Sequence, residues 1–102
     1  MAIDFQRQRF TFAPFVGGPQ TLEQTFTFAT NVHKAEAAIN GFNIGFTNVD
    51  HEFYRQEIDA AVTSVTGKLV VVRVNFALRD RSGTFDDRYD GWVEVLTIVD
   101  RA

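Results

Sequence analysis

From Val70 to Leu78 every second residue is apolar (Val70, Val72, Val74, Phe76, Leu78), and no other feature constrains the fold as much. A period of two places these side chains on one face of an extended strand, whereas a helix would scatter them around its axis. The opposite face, Leu69, Val71, Arg73, Asn75 and Ala77, is apolar in its first half, as a central strand covered on both sides requires. The period returns elsewhere. Leu22, Gln24, Phe26 and Phe28 share a face over 21–30, with Glu23, Thr25 and Thr27 opposite. Phe42, Ile44 and Phe46 alternate in a strand predicted over 35–47, with a kink at Asn40–Gly41; the helix-favouring Ala35–Ile39 is too short to hold a helix alone. Tyr54, Gln56, Ile58, Ala60 and Val62 line a further strand that ends in the turn Thr66-Gly67-Lys68.

At the start of the chain, Ile3 and Phe5 alternate in one phase and Phe10 and Phe12 in the other, which predicts a bulge or a change of sheet near Gln6–Arg9. Pro14, Gly17, Gly18 and Pro19 mark a loop. Lys68–Leu78 and Trp92–Val99, separated by the charged stretch Arg79–Gly91, read as a long hairpin. The expectation is an all-β fold, a single antiparallel β-sandwich of about six to seven strands spanning residues 1–102.

Composition narrows function. The 102 residues hold no cysteine, which removes disulfides, thiolate catalysis and iron–sulfur centres. A net charge of −3 argues against nonspecific nucleic-acid binding, although Arg7, Arg9 and Arg73 lie in predicted strands. The stretch Met1–Phe5 is not a basic segment leading into an apolar run, so no signal peptide is expected; nor does any window reach the apolar length of a membrane span. The compartment stays open. Eleven phenylalanines stand against one Trp, one Met and two Tyr. Phe suits a packed sandwich interior, and a surplus would cover a subunit interface. Both readings are open.

Chemistry concentrates in the predicted loop 80–91. Asp80, Asp86, Asp87 and Asp90 bring together the oxygen ligands that calcium takes, but the helix–loop–helix calcium pattern lacks its closing acid. A solvated loop, with Arg79, Arg81 and Arg88 balancing the charge, is the preferred reading, and no metal or cofactor is expected. Tyr89 and Trp92 offer rings for the apolar face of a sugar, with Asp86, Asp87, Arg88 and Asp50 able to bond its hydroxyls. Against this, Trp92 can open a core strand and Tyr89 can pack across the hairpin. His51-Glu52 begins like a zinc-protease helix, but Arg55 stands where the second His belongs, and His33 is the only other histidine. Ser64 and Ser82 lack a nucleophile elbow, and Val16–Pro19 lacks the Lys and helix of a phosphate loop. An enzyme is not expected.

Phe26-Thr27-Phe28 followed by Val32, the strand Gln56–Gly67 ending in Thr-Gly, and the closing strand Trp92–Val99 resemble the H-type lectins over about residues 24–100. The resemblance implies a six-stranded antiparallel sandwich that assembles as trimers or hexamers and binds GalNAc-like sugars. The family's aromatic–His sugar-contact segment has no counterpart here; Arg79–Gly91 stands in its place, and no sugar residue carries over by position. The leading expectation is a self-associating, lectin-like carbohydrate-binding homo-oligomer. Its rival is a structural, self-assembling subunit of a fibre, shell or phage appendage, polymerising through its N-terminal strand.

Overall fold

The computed structural model describes residues 2–47, 53–80 and 88–102. They form six strands: β1 (Ala2–Phe15), β2 (Gln20–Thr27), β3 (Val32–Phe46), β4 (Phe53–Thr66), β5 (Leu69–Asp80) and β6 (Tyr89–Arg101). Among the described residues no helix is long and apolar enough to cross a membrane. The strands pair antiparallel as two three-stranded sheets, β1-β6-β3 (sheet 1) and β2-β5-β4 (sheet 2). The fold is the expected all-β sandwich.

The two central strands supply most of the core. Val70, Val72, Val74, Phe76 and Leu78 of β5 face Tyr89, Val93, Val95 and Val99 of β6, and all are essentially inaccessible. Phe12 of sheet 1 stacks on Phe76 of sheet 2 with ring centroids 4.3 Å apart and planes 6° apart, and Tyr89 lies 5.8 Å beyond. This aromatic contact joins the layers at one end. At the other end the chain termini and turns are tied together. Gly67, at φ 58°, opens a two-residue β4–β5 turn. A positive φ at the first position is the type II′ geometry that matches strand twist. The carbonyls of Lys68 and Gly67 accept from the amides of Phe28 and Val32 at 2.9 and 2.8 Å, and Ala102 N–H donates to Asn31 at 2.9 Å.

Two expectations are corrected. β5 and β6 lie in different sheets, so the two strands do not pair as a hairpin. Apolar patterning marked both segments as strands, and 68–78 as a central one, but carries no information on which sheet each joins. Nor is there a bulge near Gln6–Arg9. β1 stays in register with β6 from Ala2↔Arg101 to Phe12↔Gly91, and the shift falls between Phe12 and Phe15. Phe10 and Phe12 point inward, so Gln8, Gln6 and Asp4 share their face, while Ile3 and Phe5 point outward, 69 % and 64 % exposed.

The inward glutamines have a use. Gln6 Nε2 donates to the carbonyl of Thr27 (2.6 Å), Gln8 Nε2 to Thr25 (3.3 Å), and Gln24 Nε2 to Arg9 (3.3 Å). Edge strands β1 and β2 are thereby stitched across the layers, and edge carbonyls that would otherwise stay open are satisfied. The other two edges, β3 and β4, carry register shifts at Ile39/Gly41 and Val62/Ser64. The first is the kink expected at Asn40–Gly41.

Candidate binding surface

The outer face of sheet 1 is built in rows across the β3-β6-β1 register: Lys34–Asp100–Ile3, Glu36–Ile98–Phe5, Ala38–Leu96–Arg7, Gly41–Glu94–Arg9 and Asn43–Trp92–Thr11. The first three rows hold an apolar patch. Ile3 and Phe5 are largely exposed, Ile98 is 40 % exposed, and Leu96 is half-buried. Large apolar residues outside, with Gln6 and Gln8 inside, invert the usual pattern of a sandwich strand.

The last two rows hold a polar–aromatic cluster. Arg9 Cζ lies 3.8 Å from the centroid of the Trp92 ring, a cation–π contact. The ring reaches over Gly41, where a methyl group would lie 3.8 Å from Trp92 Cζ3. Glu94 accepts from Asn40 Nδ2 at 2.6 Å, with Arg9 Nη2 at 3.7 Å and Arg7 Nη1 at 3.9 Å. Ion pairs this exposed contribute about 0–1 kcal/mol each, so the cluster is suited to presenting groups more than to holding the fold. It offers a flat ring, a guanidinium, a carboxylate and an amide within reach of one another.

The sequence-predicted sugar residues do not all converge here. Trp92 is half-buried on this outer face, next to strand residues that loop reasoning did not connect with it. Tyr89 is corrected: it is wholly buried, and its hydroxyl donates to the Gly18 carbonyl at 2.6 Å, with that of Phe76 at 3.2 Å. In this position its ring packs in the core and has no face for a sugar. Burial also raises the phenol above its ordinary value of 10.0. Arg88 is exposed at the start of β6, where its carbonyl accepts from Thr47 N–H at 2.9 Å. Asp50, Asp86 and Asp87 lie outside the described residues, as does the side chain of Asp80, so of the calcium candidates only Asp90 is placed, half-buried on β6 opposite Gly45. Among the described residues no group of three or more metal-ligating side chains gathers.

Sheet 2 carries a shallow groove of about 410 Å³ between Pro19, Gln56–Asp59 and Asn75–Ala77. Its carboxylates are engaged. Glu57 pairs with Arg79 Nε at 3.4 Å, and Asp59 accepts from Asn75 Nδ2 at 3.5 Å. At the N-terminal end of β1, Asp4 accepts from Arg101 Nε at 3.0 Å and from its neighbour Phe5 N–H at 2.8 Å; the Arg101 hydrogen bond is the main reason its carboxyl is held below the ordinary 3.8.

Sequence reasoning missed Glu94, Asn40 and the joint exposure of Ile3, Phe5 and Ile98. Alternation carried both ways from the buried valines of β6 places Trp92, Glu94 and Ile98 on one outward face; only the register adds Arg9 and Phe5 from β1. No family model matches the chain, and neither the curated proteins nor the solved structures compared with it give a match.

Proposed function

We propose that this chain is a non-enzymatic module that self-associates through the outer face of sheet 1. One observation carries the reading: Ile3 and Phe5 are 69 % and 64 % exposed beside Ile98, on the half of β1 whose inward positions include Gln6 and Gln8. Apolar surface of this kind marks association sites, and covering each such side chain contributes about 1.5–3 kcal/mol. The engaged carboxylates of the sheet 2 groove support a binding role over a hydrolytic one. Light scattering on a sizing column tests the proposal. The native chain runs as more than one subunit and Phe5→Glu runs as one; a native chain that is monomeric at high concentration overturns it. A closed particle favours the lectin-like form of the reading, and an open polymer the structural-subunit form.

Carbohydrate binding is the second reading, and the Trp92 cluster favours it. A sugar would lie on the indole in place of the Arg9 guanidinium, with Glu94, Asn40 and Arg7 bonding its hydroxyls. The six strands in two sheets of three accord with the H-type lectin resemblance, and weak sites repeated in an oligomer gain by multivalency. A glycan array probes this directly. Binding retained by Phe5→Leu and lost by Trp92→Ala supports the site; binding that Trp92→Ala leaves intact removes it.

A further inference from the structure

We infer that the association is two-fold, with β1 pairing antiparallel to β1 of a second copy about Phe5. The inference rests on the self-association reading above and adds its partner and symmetry.

The four edges of the sandwich are not equally open. β3 and β4 are interrupted by register shifts, and the Thr25 and Thr27 carbonyls of β2 are taken by Gln8 and Gln6. β1 alone combines an unbroken register over Ala2–Phe12 with an exposed apolar row beside its edge. The direction of its backbone groups can be read from their partners. Phe5 N–H goes to Asp4 Oδ1 and the Arg9 carbonyl accepts from Gln24, so these odd-numbered residues turn their backbone away from β6. By the two-residue period Ile3 and Arg7 do the same. Asp4 acts as a temporary cap on the Phe5 amide, which the carbonyl of an arriving Phe5 can replace.

A two-fold axis at Phe5 sets Phe5 against Phe5 and Ile3 against Arg7 of the second copy. The rows then continue across the seam. Glu36–Ile98–Phe5 meets Phe5–Ile98–Glu36, which makes one apolar strip from two exposed ones. Lys34–Asp100–Ile3 meets Arg7–Leu96–Ala38, which sets the Ile3 side chain of one copy against the Arg7 stem of the other. The charges favour this register: with Arg7 and Arg9 along each β1, an antiparallel seam about Phe5 places each Arg7 opposite an apolar Ile3. A parallel, cyclic arrangement sets Arg7 beside Arg7.

Single cysteines test the register, since the chain has none of its own. Facing residues of a hydrogen-bonded antiparallel pair have Cα atoms about 5.5 Å apart, within disulfide range. Phe5→Cys therefore cross-links to its own copy on mild oxidation. Ile3→Cys does not, because the two copies of residue 3 stand about 14 Å apart along the strand, beyond the roughly 7 Å limit. The double variant Ile3→Cys/Arg7→Cys cross-links again. Light scattering of the unsubstituted chain is expected to give twice the 11.5 kDa mass of one subunit. A particle of three or more chains, or Ile3→Cys linking as readily as Phe5→Cys, overturns the two-fold register and leaves the association reading standing. A single-chain mass overturns both.

Discussion

At the scale of single residues, Gly91 and Tyr89 decide how β6 fits. Gly91 has φ 151°, and a Cβ placed on it would lie 1.9 Å from the Asn43 carbonyl oxygen. That backbone approach is what lets β3 and β6 pair through Ile44↔Gly91. Gly91→Ala is expected to cost about 3 kcal/mol, read as a lower midpoint in urea. Tyr89→Phe leaves the Gly18 carbonyl without its donor and is expected to cost about 1–2 kcal/mol. The phenol also sets an alkaline limit. Its folded value is raised, so its contribution is whole below about pH 10 and is lost as pH rises through the folded value. Tyr89→Phe removes that part of the alkaline slope in a pH series of unfolding midpoints. These two residues also show where the sequence misleads. Carried back from Val99 through Thr97, Val95 and Val93, the alternation reaches Gly91 and Tyr89 on the inner face. Glycine in a charged stretch reads as a loop, so the strand is begun at Trp92 and Tyr89 is left outside. The close approach that requires the glycine is a tertiary fact with no local signature.

Among the elements, β1 is the one whose two halves differ in what they bury. Its far half packs through Phe10 and Phe12, while its near half presents Ile3 and Phe5 outward and holds sheet 2 through Gln6 and Gln8. Strand periodicity was legible throughout. Hydrophobicity then assigned the faces, and that step fails where the outer face is itself apolar; the apparent change of phase was the mark of the exposed patch. Asp4 ties this half to the C-terminal strand through Arg101. Its folded value lies below 3.8, so the contribution is present above that value and is lost as pH falls through the folded one. In an acid titration Asp4→Asn is expected to flatten the stability loss below about pH 4, with no change near neutrality beyond the missing ion pair. A titration in which Asp4 has an ordinary midpoint contradicts the pairing.

For the whole molecule, length matters. The sandwich measures 49 × 19 × 18 Å, so the apolar rows near Phe5 and the Trp92 cluster sit some 20 Å apart along one face, six residues at about 3.3 Å each. Under the proposed reading, copies that associate about Phe5 would leave the Trp92 end of the face uncovered. Layer number, strand number and the kink in β3 followed from periodicity and turn residues. The allocation of β5 and β6 to separate sheets did not, because it depends on long-range pairing that alternation leaves undetermined. Hydrogen–deuterium exchange of the unsubstituted chain, followed by mass spectrometry at low and high protein concentration, tests the central claim most directly. If copies associate through β1, the segment Ile3–Arg9 gains protection as concentration rises, while β4 is unchanged. Exchange that is independent of concentration along β1, or a gain confined to β4, would contradict it.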